Sequence, residues 1–547
     1  MKKLLCLGLF VFLFSCEDKE KQPTVVFTKY DEIAELEKQQ DHEKARMQFK
    51  LIQSKYLDMN EVFKPFEEDL AYFSEEDYTQ IKPLVIEQDI PTIQQHVKDG
   101  KLSYEKLTLF YLYRIRKFES DSTLYLNSII ALNPKVVEQA REKDENSKDV
   151  NNNSVYGMPI LLKDNINTLD MPTTAGAMAL AENKTDNNAF IVNKLLENNA
   201  LILGKLNLSE WAYFFCSGCP LGYSAIGGQT LNPYGRKVFE TGGSSAGSGV
   251  ATAANFAVAT VGTETSGSIT SPSSLNSVVG LKPTVGLLSR SGIVPISSTL
   301  DTSGPMTKNV TDNAILFNAL LGYDEKDFAS SKENKENIIL DTKTTLKGKK
   351  LGILKQLLAD SIYKKTTEKL REAGAELVEI TPKRASFSGF RTLLSADMKK
   401  DLPVYLKNYA SEKINVETVT DVIDYNLKDS ILNAPYGQAL FVGIQKDTTS
   451  TVALEEIKQH LRKQGQAFLS SLYDEDLDAI LSINNYHSGV AAMSNYPTLT
   501  VPMGYKTSGE PISLTFLGKP YSEEKLLNLG YAFEQLTKAR KIPENYK

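Results

Sequence analysis

Histidine and cysteine are scarce in this chain, with four of each among 547 residues. Neither a His-Glu-x-x-His pair nor a Gly-x-x-x-x-Gly-Lys-Ser/Thr loop occurs, which removes two common zinc-hydrolase and nucleotide signatures. None of His42, His96, His460 and His487 lies in a Gly/Ser-rich loop beside an obvious nucleophile. If hydrolysis is the chemistry, the base is expected to be something other than histidine, with only His487 left open. Positive charge is also short: 62 Lys and Arg stand against 68 Asp and Glu, for a formal net charge of −6 and no long basic run. Nucleic acid is therefore not an expected partner. Past residue 14 no apolar stretch approaches the length of a membrane-spanning helix.

What is present begins with an address. Lys2 and Lys3 precede an apolar run over residues 4–14, too short to span a bilayer but suited to a signal peptide. The run ends in Leu13-Phe14-Ser15-Cys16, which resembles the lipobox of bacterial lipoproteins. Residues 1–15 are expected to be removed and Cys16 lipidated, placing the protein in the cell envelope, periplasmic or at the outer-membrane surface. Its only membrane attachment would be that lipid. Loss of Lys2 and Lys3 takes the formal charge from −6 to −8. Cys6 leaves with the signal, so Cys216 and Cys219 remain, either as a local disulfide or as free thiols. Two thiols cannot close a zinc site, and neither a metal nor a cofactor is expected.

A hydrophobic content of 41% and a charged content of 24% are ordinary for a soluble globular protein. Residues 16–84 read as a linker and helical extension, with helices expected over 30–56 and 78–97. From residue 85 to 547 one large domain is expected. Its centre, 156–322, alternates short apolar runs (159–162, 200–204) with helical windows (188–197, 248–256). That alternation predicts an α/β fold, a mixed sheet covered by helices on both faces. Residues 324–440 are Lys/Glu-rich and read as a helical insertion or cap, with one strand at 350–354.

Three segments carry candidate chemistry. Gly157-Met158-Pro159-Ile160-Leu161-Leu162-Lys163-Asp164-Asn165 sets a lysine directly after a buried run. Thr241-Gly242-Gly243-Ser244-Ser245-Ala246-Gly247-Ser248-Gly249 and Gly262-Thr263-Glu264-Thr265-Ser266-Gly267-Ser268-Ile269 each present serine in a glycine-rich turn. In this order, and with Gly204-Lys205-Leu206-Asn207 and Asp301-Thr302-Ser303-Gly304-Pro305 between and after them, they resemble the amidase signature family over residues 85–547. That resemblance implies an amide hydrolase with Ser268 as nucleophile, Ser244 as a relay serine on a cis peptide bond after Gly243, and Lys163 as base. It also implies oxyanion donors among the amides of Thr265, Ser266, Gly267 and Ser268. A lysine serves as base only when neutral, which demands burial, because its ordinary pKa is about 10.4. Asp164, Asn165 and Thr263 are expected to support the site through hydrogen bonds, and Ser245 to cap the following helix.

Many family members carry Asp-Thr-Gly-Gly-Ser-Ile-Arg at the nucleophile, where this chain has Glu264-Thr265-Ser266-Gly267-Ser268-Ile269-Thr270. The Glu-Thr variant looks like the branch of bacterial peptide amidases, so a peptide C-terminal amide or a small acyl amide is the expected substrate. Two alternatives remain: the amidase subunit of a tRNA-dependent amidotransferase, and a non-catalytic binding lipoprotein on the same fold. The address has a direct check. Replacing Cys16 with serine is expected to abolish incorporation of labelled palmitate, and labelling that survives would refute the anchor.

Overall fold

The computed structural model describes residues 21–147, 149–332 and 337–547. The expected signal segment 1–15 and Cys16 lie outside the described residues. Thirteen strands occur among the described residues: β1 (Ile129–Leu132), β2 (Pro159–Lys163), β3 (Leu201–Leu206), β4 (Tyr223–Ser224), β5 (Gly228–Gln229), β6 (Ala259–Glu264), β7 (Val279–Lys282), β8 (Thr302–Thr307), β9 (Lys350–Leu354), β10 (Glu376–Ile380), β11 (Ala479–Ile483), β12 (Thr498–Tyr505) and β13 (Pro511–Leu517). Eleven form one sheet in the order β1-β3-β2-β6-β8-β7-β12-β13-β11-β9-β10, while β4 and β5 pair apart.

The sheet is mixed. β3, β2 and β6 run parallel, and so do β11, β9 and β10; the strands between them alternate in direction. Every residue of β2, β3 and β6 is buried. These strands read as unbroken apolar or small-residue runs because helices cover both faces and leave no wet side to alternate with. The helix Ala246–Ala253 is built almost wholly of Gly, Ala, Ser, Val and Thr. A Cβ on Gly247 would stand 2.3 Å from the Asn207 carbonyl oxygen, so small residues here let helix and loop touch.

Three expectations change. The stretch 30–56 is helical only at Ile33–Gln40 and, as a 3₁₀ turn, at Ala45–Met47; the rest is irregular, and Met47, Phe49 and Ile52 are pinned into the main core. The 78–97 stretch breaks in two, Glu75–Val85 and Ile90–Lys98, because Asp89 caps the second helix and Pro91 enters its first turn. The 324–440 segment is not a single cap. Its first half adds β9 and β10 to the sheet, and β10 lacks a clean apolar pattern because it is an edge strand with two exposed glutamates. The cap proper comprises the helices Phe390–Tyr409, Val419–Leu427, Ala439–Lys446 and Thr451–Phe468. These close a second apolar cluster over Trp211, Phe215, Cys216, Cys219 and Ile296. Among the described residues, no helix is long and apolar enough to cross a membrane.

Beneath the sheet edge lies a buried ion pair. Lys205 Nζ on β3 is 3.0 Å from Asp164 Oδ1 and donates to Thr173 Oγ1 at 2.9 Å. Removing one partner strands a charge, which typically costs about 3–5 kcal/mol. Lys205→Met is expected to lose stability of that order in urea denaturation. Adding Asp164→Leu should recover part of it, and a silent single variant would show the pair to be dispensable.

Candidate active site

Parallel pairing brings the candidate residues together. Leu162 of β2 is in register with Val261 of β6, so both strands end on the same sheet edge. Lys163 closes β2 and is fully buried. Its Nζ lies 2.7 Å from Ser244 Oγ, 2.7 Å from Thr263 Oγ1 and 3.3 Å from the Thr263 carbonyl oxygen. Asn165 Nδ2 donates to the same Thr263 hydroxyl at 3.0 Å. Burial pulls the lysine down to about 7, against the opposing pull of the Asp301 and Glu264 carboxylates. Near neutral pH a large fraction of this amine is therefore uncharged and able to accept a proton.

Ser244 sits on the turn before helix Ala246–Ala253, after a cis Gly243–Ser244 peptide bond. The Ser209 amide donates to its carbonyl at 3.0 Å, and the Ser245 amide donates to the Ser268 carbonyl at 3.1 Å. The serine turn and the Ser268 loop are thus tied to each other. Ser268, also buried, lies on the loop that leaves β6 after Glu264. Gly267 before it has φ +88°, and a Cβ there would meet Ser488 Oγ at 2.9 Å, so neither its conformation nor its surroundings admit a side chain.

Two carboxylates hold that loop. Glu264 Oε1 accepts from the Gly267 amide at 2.6 Å, and Oε2 accepts from the amides of Ile269 at 2.7 Å and Thr270 at 2.9 Å. This corrects one expectation. The Gly267 amide is committed to Glu264, which leaves Thr265, Ser266 and Ser268 outside that grip as candidate oxyanion donors. Asp301 accepts from Thr265 Oγ1 at 2.6 Å and from the amides of Ile296 and Ser297 at 2.8 and 2.9 Å, and burial pushes it up to about 6. Neither carboxylate's task is visible in sequence. Both stand inside recognisable segments, but only the folded loop shows where they point.

The remaining expectations divide. Ser245 does not cap its helix: its hydroxyl donates to the Thr263 carbonyl at 3.0 Å and accepts from the Thr263 amide at 3.2 Å. The close approach of β6 offers a nearer partner than the helix's own amides. Cys216 and Cys219 are joined as a disulfide. His487 faces Ser482 Oγ at 2.6 Å and the Phe468 ring at 5.1 Å, and burial lowers it to about 4.

With this geometry, comparison with known proteins is direct. The family model described as Amidase matches residues 106–482, more than half of the chain. A probable amidase of Arabidopsis thaliana is 36% identical over 478 residues, covering 84% of this chain and 91% of that protein. An amidase family protein from Bacillus anthracis str. Ames superposes with a TM-score of 0.84 at 37% identity, covering 90% of this chain and 99% of that one. The peptide amidase from Stenotrophomonas maltophilia gives a TM-score of 0.78 at 36% identity, covering 84% and 99%.

The loop geometry has its own check. Glu264→Gln would turn an NH₂ group toward backbone donors that need an acceptor. Turnover is expected to fall by about 10²-fold, the scale of an ångström-level misplacement. An unchanged kcat on a chromogenic amide would remove Glu264 from this role.

Proposed function

The chain belongs to the amidase family and hydrolyses amide bonds, and we propose that it does so through an acyl-enzyme on Ser268, with Ser244 as relay and Lys163 as terminal base. The observation that carries this reading is the 2.7 Å contact between the fully buried Lys163 amine and Ser244 Oγ. A serine hydroxyl is a weak nucleophile until a base takes its proton. Here the Ser268 proton passes to Ser244 Oγ as the Ser244 proton passes to Lys163 Nζ, while Ser268 Oγ bonds to the amide carbon. The resulting oxyanion is met by loop amides from Thr265, Ser266 and Ser268. As the C–N bond breaks, the proton returns by the same path to the departing amine. Water then repeats the sequence on the ester and frees Ser268.

The substrate we propose is a peptide C-terminal amide or a small acyl amide. The Glu264-Thr265 start of the loop supports it, as does the 36% identity to a protein described as a peptide amidase. Thr270, where many members carry arginine, leaves no added positive charge on the loop. We also propose that the protein acts outside the cytoplasm on a lipid at Cys16. A disulfide at Cys216–Cys219 suits an oxidising compartment.

Ser268→Ala is expected to abolish labelling by a fluorophosphonate, and persistent labelling would sink the nucleophile assignment. Lys163→Ala should damage turnover nearly as much, and His487→Ala little. Because the lysine acts only when neutral, kcat/KM should rise about tenfold per pH unit up to about pH 7 and be level from there to about pH 8. A profile flat from pH 5 to 8 would contradict Lys163 as base.

A further inference from the structure

The turn that follows β3 contains three consecutive non-glycine residues with positive φ: Trp211 at 51°, Ala212 at 52° and Tyr213 at 75°. Such a run persists only where its surroundings hold it. The Trp211 amide donates to the Ala175 carbonyl at 2.9 Å, Tyr213 Oη donates to the Cys219 carbonyl at 2.9 Å, and the Ala225 amide donates to Glu210 Oε2 at 2.9 Å. Two side-chain atoms of this turn are left over. Glu210 Oε1 and Trp211 Nε1 are buried with no partner among the described residues. Beside Glu210 is a small, partly open cavity of about 10 Å³, walled by Glu210, Tyr213, the Cys216–Cys219 disulfide and Tyr223 and roofed by residues 434–437. That volume takes one water molecule.

The roof is fastened from the N-terminal extension. The Lys50 amide donates to Tyr436 Oη at 2.8 Å, Lys50 Nζ donates to the Pro435 carbonyl at 2.7 Å, and Tyr56 Oη donates to Asn433 Oδ1 at 2.7 Å. The floor is continuous with the reaction site. Ser209, next to Glu210, donates its amide to the Ser244 carbonyl at 3.0 Å. Its Oγ would stand 2.6 Å from a Cβ on Gly243.

We propose that this cavity is a binding site for one water molecule, held by the Glu210 carboxyl group, and that carboxyl and water together position Ser209 beneath the relay serine. A buried neutral carboxyl carries one O–H that must find an acceptor, and a water supplies it while satisfying the orphaned oxygen. The groups facing Glu210 are phenols, Tyr56 from the extension, Tyr213 of its own turn, Tyr223 of β4 and Tyr436 of the cap, with the carboxylate of Glu32 behind Tyr223. The Lys50 ammonium on the roof is engaged by the Pro435 carbonyl and the Tyr436 ring, and none of the phenols supplies a cation to stabilise an ionised Glu210. Burial accordingly pushes its carboxyl up to about 8. Above that pH a bare carboxylate draws further water into the turn, Ser209 shifts, and Ser244 loses its alignment. Glu210 is a positioning residue, and its assignment rests on the relay role proposed for Ser244.

Two measurements on the full-length enzyme test it. A crystal structure that resolves waters should show one water within hydrogen-bond distance of Glu210 Oε1; an empty cavity would overturn the proposal. In the pH dependence of kcat, the wild type should decline above about pH 8. Glu210→Gln, which keeps a donor but does not titrate, should lose that alkaline decline, and a decline that persists would overturn it. Glu210→Leu should lower kcat by roughly 10²-fold while KM stays close to that of the wild type, and an unchanged kcat counts against the proposal. Where Glu210→Leu does not fold, the glutamine profile and the bound water decide. Fluorophosphonate labelling of the wild type at Ser268 reports separately on the nucleophile, so failure of that reading is distinguishable from failure of this one.

Discussion

A lysine amine taken wholly out of water is the constraint on which this architecture turns. Desolvation makes the ammonium form costly, and burial is the route by which this group, with an ordinary pKa of about 10.4, becomes a base near neutrality. Lys163 meets that demand at the end of a strand buried along its whole length, flanked on both sides by parallel neighbours. The same burial would be ruinous for an amine without polar partners. Thr263 and Ser244 supply oxygen atoms at 2.7 Å, and Asn165 fixes the threonine hydroxyl from the other side.

Everything near the amine is organised to keep that arrangement dry and still. Glu264 binds the amides of Gly267, Ile269 and Thr270, Asp301 holds the Thr265 end of the loop, and Ser245 stitches the serine turn to β6. Cap helices close over the opposite side, so that Trp211, Phe215 and the disulfide pack against Phe441 and Leu461 rather than against solvent. Ion pairing deeper in the sheet follows the same logic: Lys205 and Asp164 are both fully buried and each is the other's counter-ion.

Much of this was legible before any coordinates. Residues 159–162 read as a buried strand because they are all apolar, and Lys163, Ser244 and Ser268 stood in segments with recognisable order. The fold class followed from alternating apolar runs and helical windows. What sequence does not carry is direction. Nothing in the Glu264 segment says that its carboxylate turns back onto the loop, and Ser245 looks like a helix cap until β6 approaches it. Edge strand β10 was hidden for a different reason: Glu376 and Glu379 face solvent, and an edge under partial cover has no apolar signature. The extension misled because charge at helical spacing resembles a solvated helix, whereas residues 41–58 are mostly turns, bends and irregular backbone.

Strand order in the sheet sets a schedule. β12 and β13, made by residues 498–517, lie in the middle of the sheet between β7 and β11. Until they have left the ribosome, the half carrying Lys163, Ser244 and Ser268 has no neighbour joining it to β11, β9 and β10. The Tyr546 carbonyl then accepts from Arg114 in the first long helix of the core. A chain still emerging therefore holds all three reactive side chains without the finished shell that dries them. Its site is enclosed only after residues 498–517 have joined the sheet.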